Sequence, residues 1–172
     1  MKRIKLQEVQ KGNQGYAVME LLFYIAFFAL LSLVIINSLI VMTRAFRETT
    51  IYSELLAGGS AMEKIAREVR HASSISSISA SDMTLNTTDS AGTPKTVRFL
   101  LSGTDVQFWE NGVLTGNLNT PKVAVIALSL TEIITAKGKA VKILMTVRSN
   151  RDTQNRTKDF YNTIVLRGSY QN

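Results

Sequence analysis

The order of apolar and polar positions divides the chain into stretches that predict different structures. The first stretch, Leu21 to Met42, contains no charged residue, and Ser32, Asn37 and Ser38 are its only strongly polar side chains. As a helix it would be about 33 Å long, which is enough to cross the hydrocarbon core of a bilayer. A buried core helix of this length rarely lacks charge on every face, so the pattern predicts a membrane-spanning helix.

A second stretch continues the helix with an apolar stripe at spacings of four and three residues, which is typical of an amphipathic helix. Lys64 and Glu68 form an i,i+4 pair on its other face. Gly58 and Gly59 indicate either a kink or close packing against a sheet, and close packing is the favoured interpretation. The stripe consists of Ile51, Leu55, Gly58, Met62, Ile65, Val69 and Ala72.

A serine-rich segment, Ser73–Ser81, is predicted to end the helix that begins near Tyr16, because serine side chains compete for backbone hydrogen bonds. Ile75 and Ile78 within this segment favour a packed connection over a flexible linker. The segment is therefore predicted to lead from the helix into the strands that follow.

From Met83 onward, short runs of alternating residues are typical of strands. Asn111-Gly112 between two such runs predicts a β-hairpin, and a change of phase near Val125-Ile126 predicts a bulge. Because the strands follow a helix rather than alternate with helices, we expect an antiparallel β-sheet packed on the long N-terminal helix, an α+β fold. The predicted strands cover residues 96–101, 105–115, 122–132, 140–148 (with Val141, Ile143, Met145 and Val147 on one face) and 160–167.

Charge predicts the orientation of the apolar helix. Residues 1–15 carry four basic residues against Glu8, and positive flanks stay in the cytoplasm, so the chain should cross the membrane once, N-in/C-out. A cleavable secretory signal is the alternative, but its apolar region has about 7–15 residues and ends in a small-residue cleavage site. Here the apolar run is longer, and Thr43-Arg44-Ala45-Phe46 follows it.

The residue types exclude several classes of function. The 172 residues include no cysteine, which excludes disulfide scaffolds, cysteine-ligated zinc and thiol catalysis. A single histidine, His71, argues against a histidine-rich metal site or a Ser-His-Asp triad, and no phosphate-binding glycine motif is present. Asp152, Asn155 and Asp159 supply oxygen ligands in one region, but their spacing fits no calcium motif. We therefore predict no enzymatic activity, no cofactor and no metal site.

The net charge is +7, of which residues 1–15 supply +3. DNA binding could use the remaining surplus together with the aromatic face of Trp109. The basic residues are scattered, however, so solvated loops beside a packed tryptophan are the favoured interpretation. The two mild clusters consist of Lys137, Lys139 and Lys142, and of Arg148, Arg151, Arg156 and Lys158.

One acidic residue stands at the beginning of the apolar helix, where Glu20 follows Gly15-Tyr16-Ala17-Val18-Met19. A basic leader that ends in glycine, then an aromatic residue, three apolar residues, glutamate and a long uncharged helix resembles the class III signal of type IV prepilins and pseudopilins. Tyr16 departs from the commoner phenylalanine. The apolar stretch also lacks the interior proline of many major pilins and has Asn37 in that region. The second departure favours a minor subunit.

The resemblance implies a type IV pilin-like fold and a set of partners. Prepilin peptidase would cleave between Gly15 and Tyr16 and methylate the amine of Tyr16, and Glu20 would direct subunit assembly. The subunit would move from the cytoplasmic membrane into an extracytoplasmic fibre. Its partners would be the inner-membrane assembly platform and other pilin or pseudopilin subunits. That fibre would be a type IV pilus, a type II secretion pseudopilus or a DNA-uptake pilus. The segment Phe160–Arg167 resembles the last strand of J-type pseudopilins, W-type minor pilins and competence pseudopilins.

These observations predict four segments. They are a cleaved leader (1–15), an apolar helix for the membrane and the fibre core (16–43), an amphipathic helix with a serine-rich connection (44–80) and an antiparallel β-sheet domain (81–172). The alternative function is that of a signal-anchored extracellular adhesin or sensor module that is unrelated to pili.

Overall fold

The computed structural model describes residues 14–136 and 138–169. One α-helix, α1 (Gln14–His71), precedes eight strands in this part of the chain, and a short 3-10 turn (Arg167–Ser169) follows them. The chain divides into two units, Met1–Glu48 and Thr49–Asn172, and we call the second unit the head. The predicted α+β class is confirmed. Residues 1–13 of the predicted leader lie outside the described residues.

The strands form two antiparallel sheets, whereas the sequence pattern suggested one. The first sheet has the order β1-β2-β3-β4-β5, and the second has the order β6-β7-β8. The strand bounds are β1 (Ser74–Ile78), β2 (Asp82–Thr88), β3 (Pro94–Ser102), β4 (Asp105–Glu110), β5 (Val113–Asn117), β6 (Val123–Thr135), β7 (Gly138–Ser149) and β8 (Thr157–Val165).

The change from the first sheet to the second occurs around the buried Asn119. Its side-chain amide accepts a hydrogen bond from the backbone N–H of Val106 at 2.9 Å. It also donates to the carbonyl oxygens of Thr104 (3.2 Å) and Val123 (2.7 Å). One buried side chain thus supplies hydrogen bonds to the backbone where the chain passes from β5 in the first sheet to β6 in the second.

Several predicted strand bounds are wrong, and two of the differences have a clear physical cause. Residues 74–78 were assigned to the serine-rich connection but form β1, whose Ile75 pairs with Leu85 of β2. The last strand begins at Thr157 and ends at Val165, not at residues 160 and 167. Leu166 is instead fully buried and leads into the 3-10 turn. In both cases pairing with a neighbouring strand decided the boundary, and local propensity did not.

The core of the head lies between the amphipathic part of α1 and the inner faces of both sheets. All seven stripe residues are buried, and so are Val141, Ile143, Met145 and Val147 on one face of β7, as predicted. Ile75 and Ile78 pack against the same core. The predicted pair Lys64–Glu68 is also present, with 3.2 Å between Nζ and Oε1.

Three edge strands carry a β-bulge. The extra residues are Ser76 in β1, Thr115 in β5 and Ile126 in β6, and the last confirms the predicted bulge near Val125-Ile126. The Asn111-Gly112 hairpin between β4 and β5 is also confirmed. Both turn residues have positive φ angles, 49° and 80°, which suit a type I′ turn.

The glycine pair of α1 is a site of close packing within an uninterrupted helix. A Cβ atom added at Gly58 would lie 3.0 Å from both Cγ atoms of Val147, and one added at Gly59 would lie 3.2 Å from Cε1 of Phe160. The favoured interpretation of the glycine pair is therefore confirmed.

Replacing Gly58 by alanine is expected to lower the free energy of unfolding by about 1–2 kcal/mol. Overpacking of this kind costs about 1–3 kcal/mol, and the better helix propensity of alanine offsets up to about 1 kcal/mol. Gly59→Ala is the matched control with a smaller loss, because Phe160 is only partly buried. Urea unfolding of the full chain in lipid nanodiscs, followed by the fluorescence of Trp109, measures both. An equal or larger loss for Gly59→Ala would contradict the packing argument.

The 3-10 turn lies against the end of α1. The backbone N–H of Gly168 donates to the carbonyl of Ala72 at 3.4 Å. The backbone N–H of Leu166 donates to the carbonyl of Lys139 at 3.0 Å. A Cβ atom at Gly168 would lie only 2.5 Å from the Cα of Ser73. Glycine is thus the residue that lets these two backbone segments meet.

Candidate functional site

The apolar half of α1 exposes its side chains around the whole helix. From Tyr16 to Met42 every described side chain is exposed except Ser32, which is partly exposed. None of the most apolar window is buried inside the protein. This is the reverse of a core helix, which hides its apolar surface in its own domain. The helix is long and apolar enough to span a membrane and is compatible with a membrane anchor.

The candidate processing and assembly residues lie at the beginning of this helix. Gly15, Tyr16 and Glu20 are all helical, and the side chains of Tyr16 and Glu20 are exposed. Tyr16, Glu20 and Tyr24 follow one another at intervals of four residues, so they share one face. The hydroxyl of Tyr24 donates a hydrogen bond to Oε1 of Glu20 at 3.1 Å. The carboxylate therefore has a partner within its own helix, which the sequence reasoning did not identify.

A second acidic residue, Glu54, is buried in the head and was also missed. Its Oε2 accepts a hydrogen bond from the hydroxyl of Ser149 at 2.6 Å, and its Oε1 lies 3.7 Å from Nε of Arg151. Glu54 directly precedes Leu55 of the apolar stripe, so a charge at the border of the stripe was the available signal. Its contacts tie α1 to the end of β7 by a charge-assisted hydrogen bond.

The loop after β7 is organised by Asp152. Oδ2 accepts hydrogen bonds from the backbone N–H and from Nε of Arg156, both at 2.9 Å, and Oδ1 accepts one from the backbone N–H of Gln154 at 3.0 Å. The Arg156 guanidinium and these backbone donors lower the pKa of the Asp152 carboxyl to about 2. The carboxylate thus stays charged at neutral pH and stabilises the loop through hydrogen bonds to Gln154 and Arg156.

The three oxygen-bearing residues considered for calcium have other roles in the structure. Asp152 binds its own loop, while Asn155 accepts a hydrogen bond from Nη1 of Arg148 at 3.2 Å. Asp159 accepts one from the hydroxyl of Thr146 at 2.7 Å. No group of three or more His, Cys, Asp or Glu side chains placed to hold a metal ion occurs among the described residues.

The candidate DNA-binding residues are distributed over both sheets. Trp109 lies on β4 of the first sheet, while Lys139 and Arg148 lie on β7 of the second. Lys139 forms an ion pair with Glu132 at 2.9 Å, and Arg156 forms one with Asp152, so carboxylates offset part of the positive charge. Lys137 lies outside the described residues.

No protein-family model, curated protein or solved structure matches the chain in comparisons with each. The class that the fold itself defines is an α+β protein, in which one long N-terminal apolar helix is packed against antiparallel sheets.

Proposed function

We propose that this chain is a minor pilin or pseudopilin, a structural subunit that prepilin peptidase processes and that enters, at the tip, a type IV pilus, a type II secretion pseudopilus or a DNA-uptake pilus. The observation that carries the proposal is the sequence Gly15-Tyr16 with Glu20 at the start of an apolar helix whose surface is exposed all round. The resemblance to the prepilin signal covers this N-terminal part specifically, and the order of one helix followed by strands supports the proposal only as an architecture.

The exposed apolar helix requires a cover that the described chain does not provide. A bilayer supplies that cover first, because about 20 apolar helical residues match its hydrocarbon core. Cleavage after Gly15 on the cytoplasmic side leaves the helix attached, so the product stays in the membrane. In the fibre the helix then packs against the same helix of neighbouring subunits, so protein takes the place of lipid around its apolar side chains.

Glu20 would determine how neighbouring subunits align when their helices pack together. A carboxylate in an apolar environment is costly without a partner, and so is the new α-amine of Tyr16 in a helix bundle. Within the single subunit the hydroxyl of Tyr24 supplies one hydrogen bond to Glu20. In the fibre the Tyr16 amine of a neighbour supplies an opposite charge as well, which is the stronger partner. The pairing favours one axial register between subunits.

We expect the mature protein to begin at N-methyl-Tyr16 when the full chain is expressed with a prepilin peptidase. Mass spectrometry of the intact protein and of its N-terminal peptide measures this directly. Gly15→Leu, which adds a large side chain beside the scissile bond, serves as the uncleaved control.

An intact Met1 in the presence of an active peptidase would contradict the proposal. That result would favour the alternative of a signal-anchored extracellular adhesin or sensor module, because such a protein keeps its N-terminal segment as an anchor. Cleavage after an Ala-like site beyond residue 42 would contradict both interpretations and indicate a secreted head.

A further inference from the structure

The outer face of the first sheet carries a small cleft beside the only tryptophan of the chain. Cross-strand pairing aligns Thr84 of β2, Arg98 of β3 and Trp109 of β4 in one row. Their chain neighbours Leu85, Phe99 and Phe108 point to the opposite face and are buried in the core. Thr96 and Gly112 complete a cleft of about 170 Å³.

A second cleft, of about 310 Å³, adjoins the first and shares Thr96 with it. Its lining is dominated by neutral hydrogen-bonding groups, which include Ser73, Asn86, Thr88 and Asn111. Part of this capacity is used within the chain, because Nδ2 of Asn86 donates to Oγ of Ser74 at 3.0 Å and Oδ1 of Asn111 accepts from the backbone N–H of Thr96 at 2.9 Å. Amide and hydroxyl groups each offer more than one donor or acceptor site, so this lining still suits a ligand that both donates and accepts hydrogen bonds.

The tryptophan is held with its ring beside the cleft. Its Nε1 donates a hydrogen bond to Oε1 of Gln107 at 3.2 Å, which restricts the ring. Gly112, the second residue of the Asn111-Gly112 turn, has no side chain to cover this side of the cleft. A half-buried aromatic ring therefore offers an apolar surface amid polar groups.

The two cations of the clefts are already paired with carboxylates. Arg98 binds both oxygens of Asp82, at 2.8 Å from Nε and 2.6 Å from Nη2. Nζ of Lys95 lies 2.9 Å from Oε1 of Glu110. A phosphodiester backbone would meet no net positive charge from these pairs, whereas nucleic-acid binding depends on such charge. The local charges therefore favour a neutral ligand over DNA.

We propose that these two clefts bind a neutral saccharide, with one sugar ring against Trp109 and its hydroxyls bonded to the Thr, Asn and Arg98–Asp82 groups. A sugar ring has an apolar C–H face, which can pack against the Trp109 ring. It also has a rim of hydroxyls that donate and accept hydrogen bonds, as the polar groups of the clefts do. The site lies wholly within the head and does not depend on leader cleavage or on assembly, so it can be tested separately from the proposed function.

Trp109 is the only tryptophan, so its fluorescence reports on this site directly. The full chain is placed in phosphatidylcholine nanodiscs, which avoid sugar-based detergents. It is then titrated with glucose, galactose, mannose, N-acetylglucosamine and the trisaccharide chitotriose up to about 10 mM. We expect a saturable change for at least one sugar, with a dissociation constant on the order of 1 mM or below.

Variants separate this site from non-specific binding. Calorimetric titration of Trp109→Ala should show affinity for the same sugar reduced about tenfold or more, and Thr96→Val, which keeps the tryptophan, should weaken binding in the fluorescence assay. Tyr161→Ala, which removes an exposed aromatic residue from the second sheet, is the matched control and should bind as the unmodified chain does. Circular dichroism confirms that each variant is folded.

Three results would overturn the proposal. The first is that none of the five sugars changes the fluorescence of Trp109. The second is that folded Trp109→Ala and Thr96→Val both bind with unchanged affinity. The third is that a short oligothymidylate binds saturably at this tryptophan while the sugars do not, which would assign the clefts to single-stranded DNA.

Discussion

On the proposed function, replacing Glu20 by valine is expected to leave cleavage after Gly15 intact and to reduce incorporation into the fibre by about 100-fold or more. The substitution removes the carboxylate that would pair with the Tyr16 amine of a neighbouring subunit. Leaving one partner of a buried ion pair alone costs about 3–5 kcal/mol, and about 2.7 kcal/mol already corresponds to a factor of 100. The apolar helix itself keeps its length and becomes more hydrophobic, so membrane insertion should not suffer.

Co-purification of the chain with sheared fibres measures incorporation, and the mass of the membrane-bound form measures cleavage. Glu20→Gln tests the charge alone, because it keeps the shape and the hydrogen-bonding capacity toward Tyr24. Glu63→Val is the matched control, since it makes the same change at an exposed position of α1 in the head. Normal incorporation of Glu20→Val would remove the pairing hypothesis while leaving the cleavage result to decide the class of protein.

Replacing Gly168 by alanine is expected to destabilise the head by about 2–4 kcal/mol, the range typical of enforced backbone strain and lost core contacts. The added Cβ would meet the Cα of Ser73 at 2.5 Å, and backbone atoms cannot yield as the end of a flexible side chain can. The turn must move away from the end of α1. Leu166, which is fully buried, then loses part of its packing together with its hydrogen bond to Lys139.

The free energy of unfolding of the full chain in nanodiscs, obtained from urea titration, measures this effect. Arg167→Ala, at the preceding position, is the matched control. The Arg167 side chain is exposed, so removing it should change the free energy of unfolding by less than about 0.5 kcal/mol. A Gly168→Ala protein as stable as the control would show that the contact between the turn and α1 does not contribute to stability.

The features that the sequence predicted correctly are those with local causes. The Asn111-Gly112 turn was predicted because two residues that tolerate positive φ angles suffice to form it. The stripe from Ile51 to Ala72 was predicted because helical periodicity repeats within a few residues. The roles of Gly15, Tyr16 and Glu20 stay a prediction, because the order and spacing of these residues along the chain are the whole signal.

The features that were missed depend on contacts between distant segments. Serines have weak strand propensity, and Ser74–Ile78 becomes a strand only because β2 lies beside it. The chain passes from the first sheet to the second at the buried Asn119, which in sequence is one more polar loop residue. The row formed by Thr84, Arg98 and Trp109 depends on strand register, which the lengths of two turns determine.

The bulges on β1, β5 and β6 have a consequence for the assembly that we propose, in which many copies of similar chains would lie close together. An open edge strand exposes unpaired N–H and C=O groups that can recruit another strand, and crowding raises the rate of such encounters. Ser76, Thr115 and Ile126 each interrupt the regular spacing of these groups on an edge strand. In the two described sheets, strand addition is therefore disfavoured at β1, β5 and β6, whereas β8, which pairs with β7 without a bulge, keeps a regular edge through which two heads could meet.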